Sequence, residues 1–265
     1  VQIVFERSIT EGQLPTAWKS SLVIPIFKKG SRFDPLNYRP ISLTSVLCKT
    51  MERLVCAKIR DYLETNSLLC TDQFGFRAGR STMDQLLLAY NTVSKNTDLG
   101  GVTDVILFDF SKAFDVVCHE IMIDKLKLIG LQGSLIDWIG SFLQGRQMQV
   151  RVKESISQPR PVSSGVPQGS VLGPLLFLVY INSIASHLRS QYKIFADDLK
   201  LYACVNHAPG IAPISSTTIV QSDIDTLQAT AASWCLNMNP KKCVVLRFAR
   251  PRSSILLHGY FLDGQ

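Results

Sequence analysis

Long apolar runs are missing from this 265-residue sequence. The longest, Val171 to Ile181, falls short of the roughly 20 residues that a helix needs to cross a bilayer, and Gly173 and Pro174 interrupt it. A helical membrane span is thereby excluded, and no signal peptide is visible. Paired cysteines are missing as well. The seven cysteines, at 48, 56, 70, 118, 204, 235 and 243, form no CxxC pair, are odd in number and lie scattered through apolar stretches. A disulfide framework or structural zinc site is therefore disfavoured, and a reducing compartment is the simpler reading. No internal repeat and no low-complexity tract is present, which argues against repeat architectures. An initiator Met is also lacking. The chain opens at Val1 in what reads as the middle of a helix, so it is expected to be a fragment of a longer polyprotein.

What is present is an ordinary globular composition. Hydrophobic residues make up 46% and charged residues 18%, which argues against disorder. The length suffices for one large domain or two closely packed lobes. The net charge of +7 and pI of about 9.1 favour a polyanionic partner, a property shared with many basic proteins that bind no nucleic acid.

Periodicity predicts a strand over Ser21–Phe27, a basic, turn-rich loop from Lys28 to Pro40, and a helix from Val46 to Leu63. In that helix Leu47, Met51, Leu54, Val55, Ile59 and Tyr62 fall at helical spacing. A Gly/Arg-rich loop at 71–82 leads into a helix near Met83 to Val93. TDVILFDF at 103–110 reads as a buried strand whose alternation sets Val105, Leu107 and Asp109 on one face. Helices follow at His119–Ile129 and Ser134–Leu143, a strand at Met148–Val152, a Gly/Pro-broken loop at 163–170, and a wholly buried helix started by Pro174. YKIFADDLKLYA at 192–203 reads as a β-hairpin with Asp197-Asp198 at its turn. A helix at Ser222–Cys235 and a strand at Cys243–Phe248 close the pattern, which suggests an α+β domain with a mostly antiparallel sheet.

The carboxylates carry the chemistry. An Asp ending an apolar strand is costly unless something pairs with it, and two adjacent acids add repulsion. A hard divalent cation relieves both, since Mg²⁺ takes one or two carboxylates and fills its octahedron with phosphate oxygens and water. Two such ions about 3.5–4 Å apart clamp the attacking and leaving oxygens of a phosphoryl displacement. Taken alone, an Asp-Asp pair is most often a solvated turn, and Asp109 is similarly ambiguous. Their company decides the matter. DFSKAFD at 109–115, SSGVPQGSVLGPLLF at 163–177 and FADD at 195–198 occur in this order, each in its predicted context.

With IPIFKKG at 24–30, NYRPISL at 37–43, QFGFRAGRST at 73–82 and NMNPKKC at 237–243, these segments resemble the reverse transcriptases of non-LTR (LINE-type) retrotransposons over nearly the whole chain. The resemblance implies a right-hand polymerase of fingers and palm with a mostly antiparallel palm sheet and the thumb missing. Fingers are expected at 1–100, palm with the first acid at 101–149, a fingers/palm junction with the PQG loop at 150–190, palm again at 191–250, and the start of a truncated segment at 251–265. It implies RNA-directed DNA polymerisation, with two Mg²⁺ ions (Mn²⁺ as a possible substitute) on Asp109, Asp197 and Asp198. Asp109 and Asp197 are the expected direct ligands, with Asp198 in support.

The same resemblance assigns the remaining positions. Lys28 and Arg39 hold the triphosphate, with Lys29 and Arg32 as weaker candidates. Phe114 lies beneath the sugar and rejects a 2′-OH, while also serving as a core aromatic. Asp115 is read as a helix-capping residue. Gln168 orients the nucleotide and Gly169 permits close backbone approach. Lys242 assists the leaving pyrophosphate, although neighbouring Lys241 could take its place. Arg77 and Arg80 contact template or primer, with Phe74 and Phe76 near bases or packed beneath the loop. LLHGY at 256–260 loosely matches the segment that grips the primer end.

Some positions depart from the family's pattern. Phe195 stands where many relatives have Tyr, and Cys118 where an acid, Asn or Pro is usual. His119 is read as a structural helix-start residue. The implied partners are an RNA template, a DNA primer and deoxynucleotides, with a thumb and an endonuclease domain elsewhere in the full-length protein and no membrane. The implied compartment is the nucleus, after cytoplasmic synthesis. A ribonucleotide polymerase with the same palm is disfavoured by Phe114. A non-catalytic RNA-binding or splicing-helper module, or a decayed copy that retains the fold, is the alternative, and retention of all three acids argues against it.

Overall fold

The computed structural model describes residues 1–206, 217–250 and 259–262. The chain begins with α1 (Gln2–Thr10), β1 (Ser20–Phe27), β2 (Tyr38–Leu43), α2 (Val46–Thr65) and α3 (Thr82–Asp98). It continues through β3 (Val102–Phe108), α4 (His119–Leu128), α5 (Ser134–Leu143), β4 (Arg146–Val152), β5 (Ser155–Ile156), β6 (Arg160–Val162) and α6 (Gly173–Ile181). It ends with β7 (Gln191–Phe195), β8 (Asp198–Asn206), α7 (Thr217–Ser233) and β9 (Val244–Phe248). Two compact units result: Val1–Leu68 with Phe114–Tyr180, and Leu69–Ala113 with Ile181–Gln265. Among the described residues no helix is long and apolar enough to cross a membrane.

The first unit is built on a sheet of order β2-β1-β4-β5, with β6 on β4. β1 runs antiparallel to β2 and parallel to β4. β2 corrects the expectation of a loop reaching Pro40, because the loop closes at Asn37 and a strand follows. Pro40, opposite Pro25, argues against a strand in sequence. It is tolerated because β2 is an edge strand of that sheet, and a missing N–H there breaks no ladder.

α2 corrects a second expectation. Its buried stripe is Cys48, Met51, Glu52, Val55, Cys56, Ile59 and Leu63, while Leu47 and Leu54 face solvent. Met51, Val55 and Ile59 lie on the buried face as expected, but that face extends over Cys48 and Glu52 in place of Leu47 and Leu54, so it carries a carboxylate. α6 is enclosed on all sides, as a continuous apolar run requires, with Leu175 through Ile181 all buried.

The second unit holds a four-stranded antiparallel sheet of order β7-β8-β3-β9. β3 sits between β8 and β9, so both its edges are hydrogen-bonded, and nearly every one of its residues is buried. Asp104, fully buried in β3, is paired through both oxygens with Arg247 of β9 at 2.6 Å and accepts from the Tyr260 hydroxyl at 2.8 Å. A buried charge survives folding only with such complete pairing. α3 starts at a capping box in which Ser81 and Asp84 satisfy each other's backbone N–H groups.

Candidate active site

In the second unit the acids gather at one end of the central strands. The β3–β8 ladder ends with Phe108 opposite Leu199, so Asp109 and Asp198 are the next residues beyond the last pair. β7 and β8 close through Phe195 opposite Asp198, leaving Ala196 and Asp197 as a two-residue turn. The NMNPKKC segment is laid against the first acid by its backbone. Asn239 N–H donates to Asp109 C=O at 2.8 Å, Ser111 N–H to Asn237 C=O at 2.8 Å, and Phe110 bridges to Met238. The chain then turns on Asn239, whose carbonyl accepts from Lys242 N–H. Of the two adjacent lysines, Lys242 is the one whose Nζ reaches Asp109 Oδ1, at 3.0 Å.

Among the described residues no three His, Cys, Asp or Glu side chains come close enough together to enclose a metal ion. The donor chemistry nonetheless suits Mg²⁺. Carboxylate oxygens are hard ligands, and Mg²⁺ takes only one or two of them, leaving its other positions to phosphates and water.

The turn that bears the acids is held from the QFGFRAGRST segment. Phe74 N–H donates to Ile194 C=O at 2.8 Å, and Ile194 N–H donates to Asp72 C=O at 2.9 Å. Gln73, fully buried, accepts from Ala196 N–H at 3.0 Å and from Gly75 N–H at 2.8 Å through Oε1. Its Nε2 donates to Ala196 C=O at 3.4 Å. Gly75 has no room for a side chain, because a Cβ there would collide with the backbone of Ala196. The two arginines of this segment hold the backbone just before it: Arg77 donates to Cys70 C=O at 2.8 Å, and Arg80 donates to Thr71 C=O. Arg80 also lies over the Phe74 ring at 5.0 Å. Phe74 is buried, whereas Phe76 is exposed at a positive φ of 59°.

The other predicted residues lie in the first unit. Lys28 and Arg39 are exposed, flanking a loop closed by Lys28 N–H on Asn37 C=O at 2.8 Å. Arg32 lies over the Phe27 ring at 5.0 Å. Phe114 stacks on Phe177 of α6 with ring centres 4.2 Å apart. Asp115 does not cap a helix: its Oδ1 accepts from Gln168 Nε2 at 2.7 Å, so it holds the amide expected to orient a nucleotide. Gly169, at φ 106°, lies so close to Ser42 C=O that a Cβ would stand 2.8 Å from it. A cleft of about 330 Å³ opens among Ser42, Asp115, Arg146 and the Gly165–Gln168 turn. Larger hollows of this unit lie along α5 and contain no predicted site residue.

The 163–172 loop is tied at both ends. Gly165 C=O meets His119 Nε2 at 2.8 Å, and His119 begins α4 as expected. At the far end Glu52 Oε2 accepts from Val171 N–H at 2.6 Å and from Leu172 N–H at 2.9 Å. Cys48 Sγ donates to Glu52 Oε1 at 3.3 Å. Burial first, and then Glu52, pushes the Cys48 thiol up to about 12, so it stays a neutral donor. Burial lowers the pKa of Arg146, with Cys48 and Glu52 opposing the shift. Sequence reasoning missed Glu52 and Gln73. The available signal for Glu52 was an acid placed between Met51 and Val55 in an apolar stripe. In the LLHGY segment Leu256, Leu257 and His258 lie outside the described residues, and Tyr260 bonds to Asp104.

This arrangement is a mixed α/β fold with one mixed and one antiparallel sheet, its acids at a strand end and a hairpin turn. Residues 26–256 match the family model described as reverse transcriptase (RNA-dependent DNA polymerase). The chain is 34% identical to the probable RNA-directed DNA polymerase from transposon BS of Drosophila melanogaster, over 94% of this chain and 28% of that protein. It is 30% identical to the RNA-directed DNA polymerase from mobile element jockey of the same species, over 95% of this chain and 28% of that protein. The chain belongs to the reverse transcriptase family, among those of non-LTR retrotransposons. It spans 28% of the length of these curated relatives. Among solved structures, apo telomerase from Candida tropicalis shares the fold with a TM-score of 0.62 at 14% identity, covering 91% of this chain and 52% of that one.

Proposed function

We propose that this chain carries the fingers and palm of an RNA-directed DNA polymerase from a non-LTR retrotransposon. The observation that carries the reading is Asp109 at the end of β3, beside the Asp197–Asp198 hairpin and paired with Lys242. Fingers are assigned to 1–100 and, with the PQG junction, 150–190; palm to 101–149 and 191–250; and 251–265 to the start of a further segment. Asp109 and Asp197 would hold the metal ions, with Asp198 in support. Bound Mg²⁺, two ions in this reading, neutralises phosphate charge and makes the primer hydroxyl a better nucleophile.

The primer 3′-OH loses its proton to water as its oxygen bonds to the α-phosphorus of a deoxynucleotide, the bond to the bridging oxygen breaks, and pyrophosphate leaves. Lys28 and Arg39 offset the triphosphate charge, Arg39 with two parallel hydrogen bonds. Phe114, braced by Phe177, meets the sugar where a 2′-OH would project. Gln168, braced by Asp115, faces the nucleotide, and Gly169 admits it closely. Lys242 can give its Nζ proton to the leaving pyrophosphate. Arg77 and Arg80 shape the loop that meets template and primer. RNA is the template and a nicked chromosomal end the primer, which places the work in the nucleus. The thumb and the endonuclease are assigned to other parts of a longer protein.

The test is primer extension on an RNA template with Mg²⁺ and deoxynucleotides, comparing the parent with Asp197→Asn/Asp198→Asn. Extension by the parent alone, abolished by chelation, is the expected result. Equal extension by both would overturn the site. RNA binding without metal or nucleotide incorporation would favour a non-catalytic module.

A further inference from the structure

We propose that Gln73 is a positioning residue that sets the direction of the Asp197 carboxylate by holding Ala196 in a left-handed backbone conformation. The inference rests on the polymerase reading above only for its functional consequence. The two-residue turn between β7 and β8 requires a positive φ at its first residue, a place that glycine fills without strain. Here that residue is Ala196, at φ 57°. A Cβ makes this region unfavourable, so something must stabilise it.

Ala196 is buried, so water does not supply its backbone partners. Both come from one side chain. Gln73 accepts from Ala196 N–H at 3.0 Å and donates to Ala196 C=O at 3.4 Å. A primary amide carries the acceptor and the donor that this pairing needs, whereas a carboxylate lacks the donor and an aliphatic chain lacks both. Gln73 is itself fixed, being fully buried, bonded to Gly75 N–H and flanked by the backbone bonds from Phe74 to Ile194 and from Ile194 to Asp72.

Asp197 is the next residue along the chain. Loss of the Gln73 amide lets Ala196 relax toward negative φ, which rotates the following peptide and turns the Asp197 side chain. Gln73 touches neither substrate nor metal in this scheme and acts only through the turn.

The experiment compares the parent with Gln73→Ala, with Gln73→Met, and with Gln73→Met combined with Ala196→Gly. Gln73→Met preserves volume if the alanine variant fails to fold. Amide hydrogen exchange is measured without metal over Phe195–Leu199, and primer extension is measured as a function of Mg²⁺ concentration. We expect faster exchange in that hairpin in both single variants. We also expect a loss of about 10- to 100-fold in activity or apparent Mg²⁺ affinity, the usual effect of removing a group that orients a ligand. Ala196→Gly removes the strain and should restore much of both. Unchanged hairpin exchange in Gln73→Met, or no recovery on adding Ala196→Gly, overturns the proposal. If the parent makes no DNA, that result bears on the polymerase reading alone, and the exchange data still decide whether Gln73 holds the turn.

Discussion

Replacing Glu52 by alanine should destabilise the first unit more than almost any other single polar change in it. The carboxylate is fully buried and accepts from two backbone amides, Val171 at 2.6 Å and Leu172 at 2.9 Å. Bonds to an ionised acceptor are about twice as strong as neutral ones. Leaving a buried donor unsatisfied costs roughly 1–3 kcal/mol. Leu172 is buried and Val171 half-buried, so the two together lose about 3–5 kcal/mol. Part of this is offset, since the protein no longer has to keep a carboxylate out of water. The net loss for Glu52→Ala is then about 2–4 kcal/mol. Glu52→Gln keeps one acceptor oxygen and should lose about 1–2 kcal/mol.

At this chain length the alanine change corresponds to a fall in Tm of roughly 5–15 °C. Trp18 and Trp138, both buried in the first unit, report the transition, and Trp234→Phe removes the signal of the second. The assay is denaturant unfolding followed by tryptophan fluorescence in that background. A Glu52→Ala midpoint within about 0.5 kcal/mol of the parent would refute the reasoning, because it would mean that these amides have another acceptor.

Other expectations follow from the same geometry. Gly75→Ala forces a Cβ into the backbone of Ala196 and should cost the second unit about 2–4 kcal/mol, read as the shift in Trp234 fluorescence on unfolding; no shift would contradict the close approach. Burial lowers Lys125 from the ordinary 10.5 to about 8. The folded state therefore binds its proton less tightly than the unfolded state, and the cost is full below about pH 8 and vanishes as pH rises to 10.5. Lys125→Met should accordingly stabilise the protein at pH 7, with the gain fading over that interval in melts taken at several pH values; a constant gain would exclude the titration as its cause. Phe114→Ala removes the ring held by Phe177 and should raise ribonucleotide incorporation relative to deoxynucleotide, so an unchanged ratio in single-nucleotide assays would count against its place beneath the sugar.

Most elements were legible because their periodicity is strong. Helix Ser134–Leu143 was expected at its observed bounds, and the hairpin around Asp197 within a few residues of its observed ends. β2 was not legible, because Pro40 reads as a strand breaker and only the sheet order shows that its strand is an edge. The α2 face was legible at Met51, Val55 and Ile59 but not at its margin, because Leu47 and Leu54 are apolar but exposed, while Cys48 and Glu52 are buried. Hydrophobicity alone does not say which side of a helix meets the core.

By itself the sequence determined the family and the candidate acids, since ordered motifs such as DFSKAFD and FADD record the chemistry residue by residue. Only the tertiary structure decided that Lys242, rather than Lys241, reaches Asp109, that Asp115 holds Gln168, and that Glu52 and Gln73 clamp the two loops. The physical reason is that these are pairings between polar groups far apart in the chain. Each depends on direction and on a separation of about 3 Å, which are properties of the assembled backbone and not of local composition.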